Sequence, residues 1–208
     1  TDYSKINSDS KKCYTNKAFK FDFRIVEANF FAEDVVVKLH KDDEKAEYLH
    51  LDWVNAGEDA YQASYTLKAS KNHENDGDYY ITIDYTDRSG NNAERLTTKV
   101  VVIDTTAPVI RVSYDKNDPV LTRKYDGHSN QYFNTTRTGT VEIVEKNFDS
   151  KQAKLTISSV DVTGAKIDGH TGMTKWMDSK NVHSRQITYK GDAKYTFDAE
   201  CTDLAGNK

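Results

Sequence analysis

The sequence predicts an all-β chain of 208 residues folded as two tandem antiparallel β-sandwich domains, residues 1–104 and 105–208. Three observations predict it. Apolar and polar residues alternate along short runs. Turn residues separate those runs. One set of motifs occurs twice, in the same order and at nearly one spacing.

The elements follow in chain order. Phe19, Phe21, Phe23 and Ile25 alternate with Lys20, Asp22 and Arg24, which gives a strand with one buried face. Val35, Val37 and Leu39 form the next inward row, and Tyr65 and Leu67 another. Tyr79, Ile81, Ile83 and Tyr85 form the longest, and a last strand runs through Thr98–Ile103. Asp76-Gly77, Ser89-Gly90-Asn91, Asn117-Asp118-Pro119 and Gly169 mark turns. No window shows an apolar stripe of helical period. About seven short strands per copy result, the signature of a sandwich.

The second copy follows in register. Ile25-Val26-Glu27 recurs as Ile143-Val144-Glu145, an offset of 118. Tyr14 meets Tyr132, Asn29-Phe30 meets Asn147-Phe148, and Trp53 falls near the place of Trp176. Asp76–Tyr79 meets Asp192–Tyr195, and Thr86–Asn91 meets Thr202–Asn207, now at an offset of 116. The inward rows of copy two are therefore Gly139, Val141 and Ile143; Ala153, Leu155 and Ile157; Ile187 and Tyr189; and Tyr195, Phe197, Ala199 and Cys201. The boundary falls at Asp104-Thr105-Thr106-Ala107-Pro108, where Pro108 withholds a ladder donor and biases Ala107 to extended backbone.

Composition excludes several classes. The net charge is −4, with lysine and aspartate scattered and no basic block, so nucleic acid is not an expected partner. No apolar run approaches the roughly 20 residues that span a bilayer, so no membrane insertion is expected within these residues. Thirteen tyrosines argue against disorder. Two cysteines, Cys13 and Cys201, fall at non-equivalent repeat positions (Gln131 and Tyr85 are their counterparts), so a disulfide between them is not expected. The hydrolase, zinc-protease, phosphate-loop and dinucleotide motifs are missing. The histidines, His40, His50, His73, His128, His170 and His183, read as surface residues. Glu27 and Glu145 resemble a carboxylate pair, but one lies in each copy, so each is expected to satisfy a loop. The chain is therefore read as non-enzymatic.

Asp-Gly-x-Tyr at Asp76–Tyr79 and Asp-Ala-x-Tyr at Asp192–Tyr195 resemble the entry to the strand that carries the tyrosine corner of immunoglobulin-like folds. Thr-Asp-x-[Ser/Ala]-Gly-Asn, a closing strand, then Asp-Thr-Thr-Ala-Pro-Val-Ile resembles the tandem bacterial immunoglobulin-like repeats of Gram-positive surface proteins and adhesins. The likeness spans nearly the whole chain. It implies two tandem immunoglobulin-like domains, an extracellular place on a bacterial surface with the anchor elsewhere, and a monomeric module. Copy two departs from the pattern: its last residue, Lys208, falls where copy one begins its final strand, and the expectation is a missing last strand with an open edge.

The resemblance also raises calcium, which stiffens junctions in tandem adhesins. Asp87, Asn91 and Asp104 are the candidate ligands, against a plain turn in which Asp87 bonds nearby N–H groups. Isopeptide crosslinks of such proteins need a buried lysine, and the inward rows hold none. Asn134-Thr135-Thr136 is a formal glycosylation sequon.

For a partner, the repeat separates scaffold from specificity. Shared residues are scaffold; copy-specific ones are free to recognise. Asp43 and Glu44 in the charged Lys41–Glu47 segment, His73 in the longer Lys71–Asn75 loop, and Tyr80 belong to copy one. His170 and Met173, in the extended Asp161–Met177 stretch, belong to copy two, as does the Lys124–Gln131 insertion. The expected ligand is a host extracellular protein, such as an immunoglobulin, or a mucosal glycoprotein. A passive stalk and an accessory part of a carbohydrate-active enzyme are the alternatives.

Overall fold

A computed structural model describes residues 7–8, 11–125 and 127–208. The described residues form strands, turns and one 3-10 turn, Ala32–Asp34, with no α-helix. The chain divides into two compact units, Thr1–Thr106 with Leu204–Asn207, and Ala107–Asp203 with Lys208. The main break in the chain lies between Thr106 and Ala107, and Leu204–Asn207 group with the first unit rather than with 105–208.

The described residues of unit 1 form ten strands: β1 (Asn7–Ser8), β2 (Lys12–Thr15), β3 (Phe19–Val26), β4 (Val35–Lys41), β5 (Glu47–Leu49), β6 (Val54–Asn55), β7 (Ala60–Leu67), β8 (Gly77–Tyr85), β9 (Leu96–Thr97) and β10 (Val100–Ile103). They build two sheets. One runs in the order β1-β2-β10-β8-β4-β5, with β9 also on β8; the other runs β3-β7-β6. One pairing differs from the expected all-antiparallel arrangement: β10 runs parallel to β2, with Val101 opposite Cys13. Alternation does its predicted work. Phe19, Phe21, Phe23, Ala63 and Leu67 from the small sheet meet Cys13, Val37, Leu39, Tyr79, Ile81, Ile83, Val101 and Ile103 from the large one in a single buried cluster. Phe21 packs edge-on to Phe19 and stacks on Phe23. Each such buried side chain contributes about 1.5–3 kcal/mol.

Unit 2 holds β11 (Val109–Tyr114), β12 (Leu121–Tyr125), β13 (His128–Tyr132), β14 (Arg137–Val144), β15 (Ala153–Val160), β16 (Met177–Ser179), β17 (Val182–Tyr189) and β18 (Lys194–Cys201). Its sheets are β11-β14-β17-β16, the pair β15-β18 and the hairpin β12-β13.

The pairings repeat residue for residue. Phe19 faces Leu67 and Val26 faces Ala60; Arg137 faces Tyr189 and Val144 faces Val182. Val35 faces Tyr85 and Lys41 faces Tyr79; Ala153 faces Cys201 and Ser159 faces Tyr195. Strand β3 thus corresponds to β14, β7 to β17, β4 to β15 and β8 to β18. The duplicated motifs of the sequence are duplicated ladders.

The buried clusters are not equal. Among the described residues of unit 2, Val141, Ile143 and Cys201 form the buried cluster, with Ile110, Phe148, Ala153, Leu155, Trp176 and Phe197 partly covered around it. Cys13 and Cys201 are both buried thiols. Burial pushes the Cys201 thiol up to about 11, with Glu145, Asp203 and Asp149 adding to the effect.

Candidate recognition surface

The shared residues have structural work in both units. Tyr79 stands near the start of β8 and its hydroxyl donates to the Asn75 carbonyl at 2.9 Å, four residues upstream. Tyr195 stands at the same point of β18, with its hydroxyl 2.8 Å from the Gly191 carbonyl, again four residues upstream, and 2.6 Å from that of Gly169. Gly169 permits this approach, because a Cβ there would lie 2.5 Å from the hydroxyl. Glu27 accepts the Asn29 N–H at 3.0 Å and Glu145 accepts that of Asn147 at 2.6 Å. The two carboxylates therefore support equivalent loops, as the sequence suggests. Phe30 stacks on Tyr61 and meets Trp53 edge-on; Phe148 stacks on His183 and meets Trp176 edge-on. Both tryptophans are partly buried against the cores.

His183 corrects the expectation of a surface histidine. It is 9% exposed, with Nδ1 2.7 Å from an Asp178 carboxylate oxygen and Nε2 2.9 Å from the Glu145 carbonyl. The side chain of His128 lies outside the described residues, as does Asp126 within the Lys124–Gln131 insertion.

The three candidate calcium ligands are not brought together. The Asp87 carboxylate accepts the N–H groups of Ser89 and Asn91 at 2.9 and 2.8 Å, and the Asn91 side-chain amide at 2.7 Å. Those bonds, the Asn91 amide first, hold its carboxyl below the ordinary aspartate range. Asp104 follows Ile103, which pairs with Gly77 at the start of β8, whereas Asp87 follows Tyr85 at its end. Eight strand residues separate these ends, about 27 Å at the rise of a β-strand. Asp104 instead donates its N–H to Thr15 and accepts that of Thr106. The plain turn is what Asp87 and Asn91 form.

The copy-specific loops divide. His73, at φ 65°, bonds the Thr105 hydroxyl at 2.8 Å, and Asp76 accepts the Thr105 N–H and both the Thr105 and Thr106 hydroxyls. That loop fastens the linker. The segment with His170 and Met173 runs along β17: Thr171 donates to the Thr188 carbonyl and Thr174 to that of Gln186. His170 Nδ1 lies against the Thr171 carbonyl, and Met173 is half-buried. Asp43 and Glu44 sit exposed in the turn after β4.

Tyr80 leads elsewhere. Inward Ile81 and Ile83 place Tyr80, Thr82 and Asp84 on the outer face of the large sheet. There Tyr80 pairs across the ladder with His40 and the two rings stack, 4.2 Å apart and 3° from parallel. Tyr80 is thus half-covered rather than fully exposed. Lys38 pairs with Tyr48 and carries its ammonium 5.1 Å from that ring, and Tyr48 remains 69% exposed. Arg95 grips Asp84 with two bonds, of 2.6 and 3.0 Å, and holds its carboxyl low. An outer face bearing two tyrosines, a histidine and a lysine results. The equivalent face of unit 2 has Thr156 for Lys38, Ser158 for His40 and Thr196 for Tyr80. Sequence reasoning found Tyr80 and missed His40, Lys38 and Tyr48. The signal was present, because Val37 and Leu39 inward put Lys38 and His40 outward.

No family model matches this chain, and a search of curated proteins finds no match. Among the described residues, no helix is long and apolar enough to cross a membrane.

Proposed function

We propose that the chain is a non-catalytic recognition module of an extracellular bacterial surface protein, built of two tandem immunoglobulin-like sandwiches, and that it binds a host protein or glycoprotein through the outer face of the large sheet of unit 1. The observation that carries this reading is the His40–Tyr80 stack beside exposed Tyr48 and Lys38, in one copy of a duplicated fold and replaced by Ser158, Thr196 and Thr156 in the other. Aromatic rings in a rigid frame give contact area at low entropic cost, and both proteins and sugar rings use them. The immunoglobulin-like assignment rests on the Tyr79 and Tyr195 bonds to the carbonyl four residues upstream, the geometry of a tyrosine corner.

The test is saturable binding of the whole chain to a panel of immunoglobulins, mucins and glycans, with and without EDTA. Tyr48→Ala with Tyr80→Ala is expected to weaken binding at least about tenfold, the size of a hot-spot loss, and EDTA to leave it unchanged. Binding untouched by that pair sinks the surface. A panel with no binder favours a passive stalk, a reading that the bonds of His73 and Asp76 to the linker residues Thr105 and Thr106 support.

A further inference from the structure

Unit 2 carries a cavity of its own. Two loops wall it: residues 115–120, between β11 and β12, and residues 133–136, between β13 and β14. It measures about 340 Å³ and is lined by Asp115–Asp118 and Phe133–Thr135. Small-molecule sites run from roughly 300 to 1,000 Å³, so this one suits a single small ring system.

Bonds within unit 2 fix the walls. The Asp115 N–H donates to the Thr138 carbonyl at 3.0 Å, and Asp115 Oδ1 accepts the Thr138 N–H at 2.7 Å. Lys116 Nζ bridges the loops, donating to Thr135 Oγ1 at 2.8 Å and to the Thr136 carbonyl at 2.7 Å. Arg137 ties both loops together. Its guanidinium lies 3.8 Å from the centre of the Tyr114 ring and 4.0 Å from that of Phe133. Its Nε donates to the Lys116 carbonyl at 2.6 Å, and Nη2 donates to Asn117 Oδ1 at 3.4 Å. A planar guanidinium stacked and bonded in this way holds a rigid frame. The frame is specific to this copy: the repeat puts Thr15 and Phe19, both buried, at the places of Phe133 and Arg137.

The lining offers a ligand a consistent set of groups. Phe133 is half-buried and brings an apolar ring to walls that are otherwise polar. Asp118 and Asn134 are exposed there, a carboxylate that accepts from two hydroxyls and a carboxamide that both donates and accepts. A pyranose ring matches both halves of this set. Its C–H face packs on an aromatic ring, and its adjacent hydroxyls meet planar polar side chains. Charge narrows the class. The lining holds two carboxylates, Asp115 and Asp118, against the one ammonium of Lys116, which the Thr135 and Thr136 oxygens already engage. An acidic sugar would meet like charge, and a neutral sugar would not.

We propose that this cavity binds a neutral hexopyranose, the terminal residue of a glycan, with its apolar face toward Phe133 and its hydroxyls shared between Asp118 and Asn134. The site is separate from the outer face of unit 1 and stands or falls without it.

The experiment titrates the whole 208-residue chain with the methyl glycosides of glucose, galactose and mannose, and with glucuronic and sialic acids, and follows residue-resolved amide NMR shifts. Saturable millimolar binding of at least one neutral glycoside is expected, with the shifts centred on residues 115–118 and 133–135. Asp118→Ala is expected to weaken it at least about tenfold, as for a lost hydrogen bond to a charged group, and Asn134→Ala about fivefold. Both residues are exposed, and the sugar-free spectra of the variants check that the fold is intact. Tyr48→Ala with Tyr80→Ala, on unit 1, is expected to leave sugar binding unchanged. No shift from any neutral glycoside up to its solubility overturns the proposal. So do binding untouched by Asp118→Ala, shifts centred elsewhere, and equal binding of the acidic sugars.

Discussion

Units 1 and 2 share their ladders and differ in how those ladders are closed. Unit 1 joins β2, β10, β8, β4 and β5 in one sheet and buries fourteen residues in one cluster. Among the described residues, unit 2 keeps β15-β18 and β12-β13 as separate pairs and has three residues in its buried cluster. The reverse holds on the other sheet. Strand β14 has β11 on its second edge, while β3 pairs with β7 alone among the described residues. Alternation alone does not make a core; a strand has to be covered on the face where its apolar residues point.

The largest test of that contrast is truncation of each core. Phe21→Ala is expected to cost about 3–5 kcal/mol and to lower the transition of unit 1 while leaving that of unit 2 in place. Ile143→Ala is expected to cost about 2–3 kcal/mol, at the low end because half-open surroundings can collapse into the space. Denaturant titration with a probe in each unit separates the two; equal losses would mean that the cores are closed alike.

Alkaline titration sharpens the contrast next. Burial raises the Tyr79 hydroxyl to about 12, with Asp42, Glu44, Tyr65 and Asp76 adding to it. The unfolded tyrosine ionises near 10, so its stabilisation is complete below pH 10 and is lost as pH rises from about 10 to about 12. Tyr79→Phe is expected to flatten that fall in unit 1, measured as stability against pH. An unchanged slope would remove Tyr79 from the account.

The smallest expected effects separate corner from face. Tyr79→Phe and Tyr195→Phe each delete a hydroxyl bond to a carbonyl, and about 1 kcal/mol is expected for each at neutral pH. Tyr48→Ala, on the open face, is expected to change stability by no more than about 0.5 kcal/mol. Thermal unfolding of the three variants checks the order, and a larger loss for Tyr48 would make that face structural.

Much of this arrangement was legible in the sequence. Period-two alternation at Phe19–Ile25 and Tyr79–Tyr85 predicted the buried rows, and repeated motifs predicted that Glu27 and Glu145 would do the same job. What escaped needed partners distant in sequence. The parallel course of β10 beside β2 is a property of two strands, and alternation within one strand is blind to it. His183 looks like any polar residue until Asp178 and the Glu145 carbonyl are placed around it. The copy-specific loops misled for a related reason: length difference marks freedom to vary, and in His73 and the 170–174 segment that freedom was spent on fastening a linker and covering a sheet edge. Asp87 and Asp104 are grouped by proximity to a boundary in the sequence, but they lie beside opposite ends of β8.

The parallel alignment of β2 and β10 has a mechanical meaning. Past its short hairpin partner β1, the chain enters β2 near one end of unit 1, and near the other it leaves through β10, with Lys12 opposite Val100 and Thr15 opposite Ile103. Tension drawn through the chain pulls β2 from its first residue and β10 from its last, so the two slide past each other along their length. Such loading strains the bonds between them together instead of parting them one by one, and resistance to force is set by the rate of that rupture rather than by equilibrium stability. Stretched from its two ends, unit 1 would take up load along this whole seam at once.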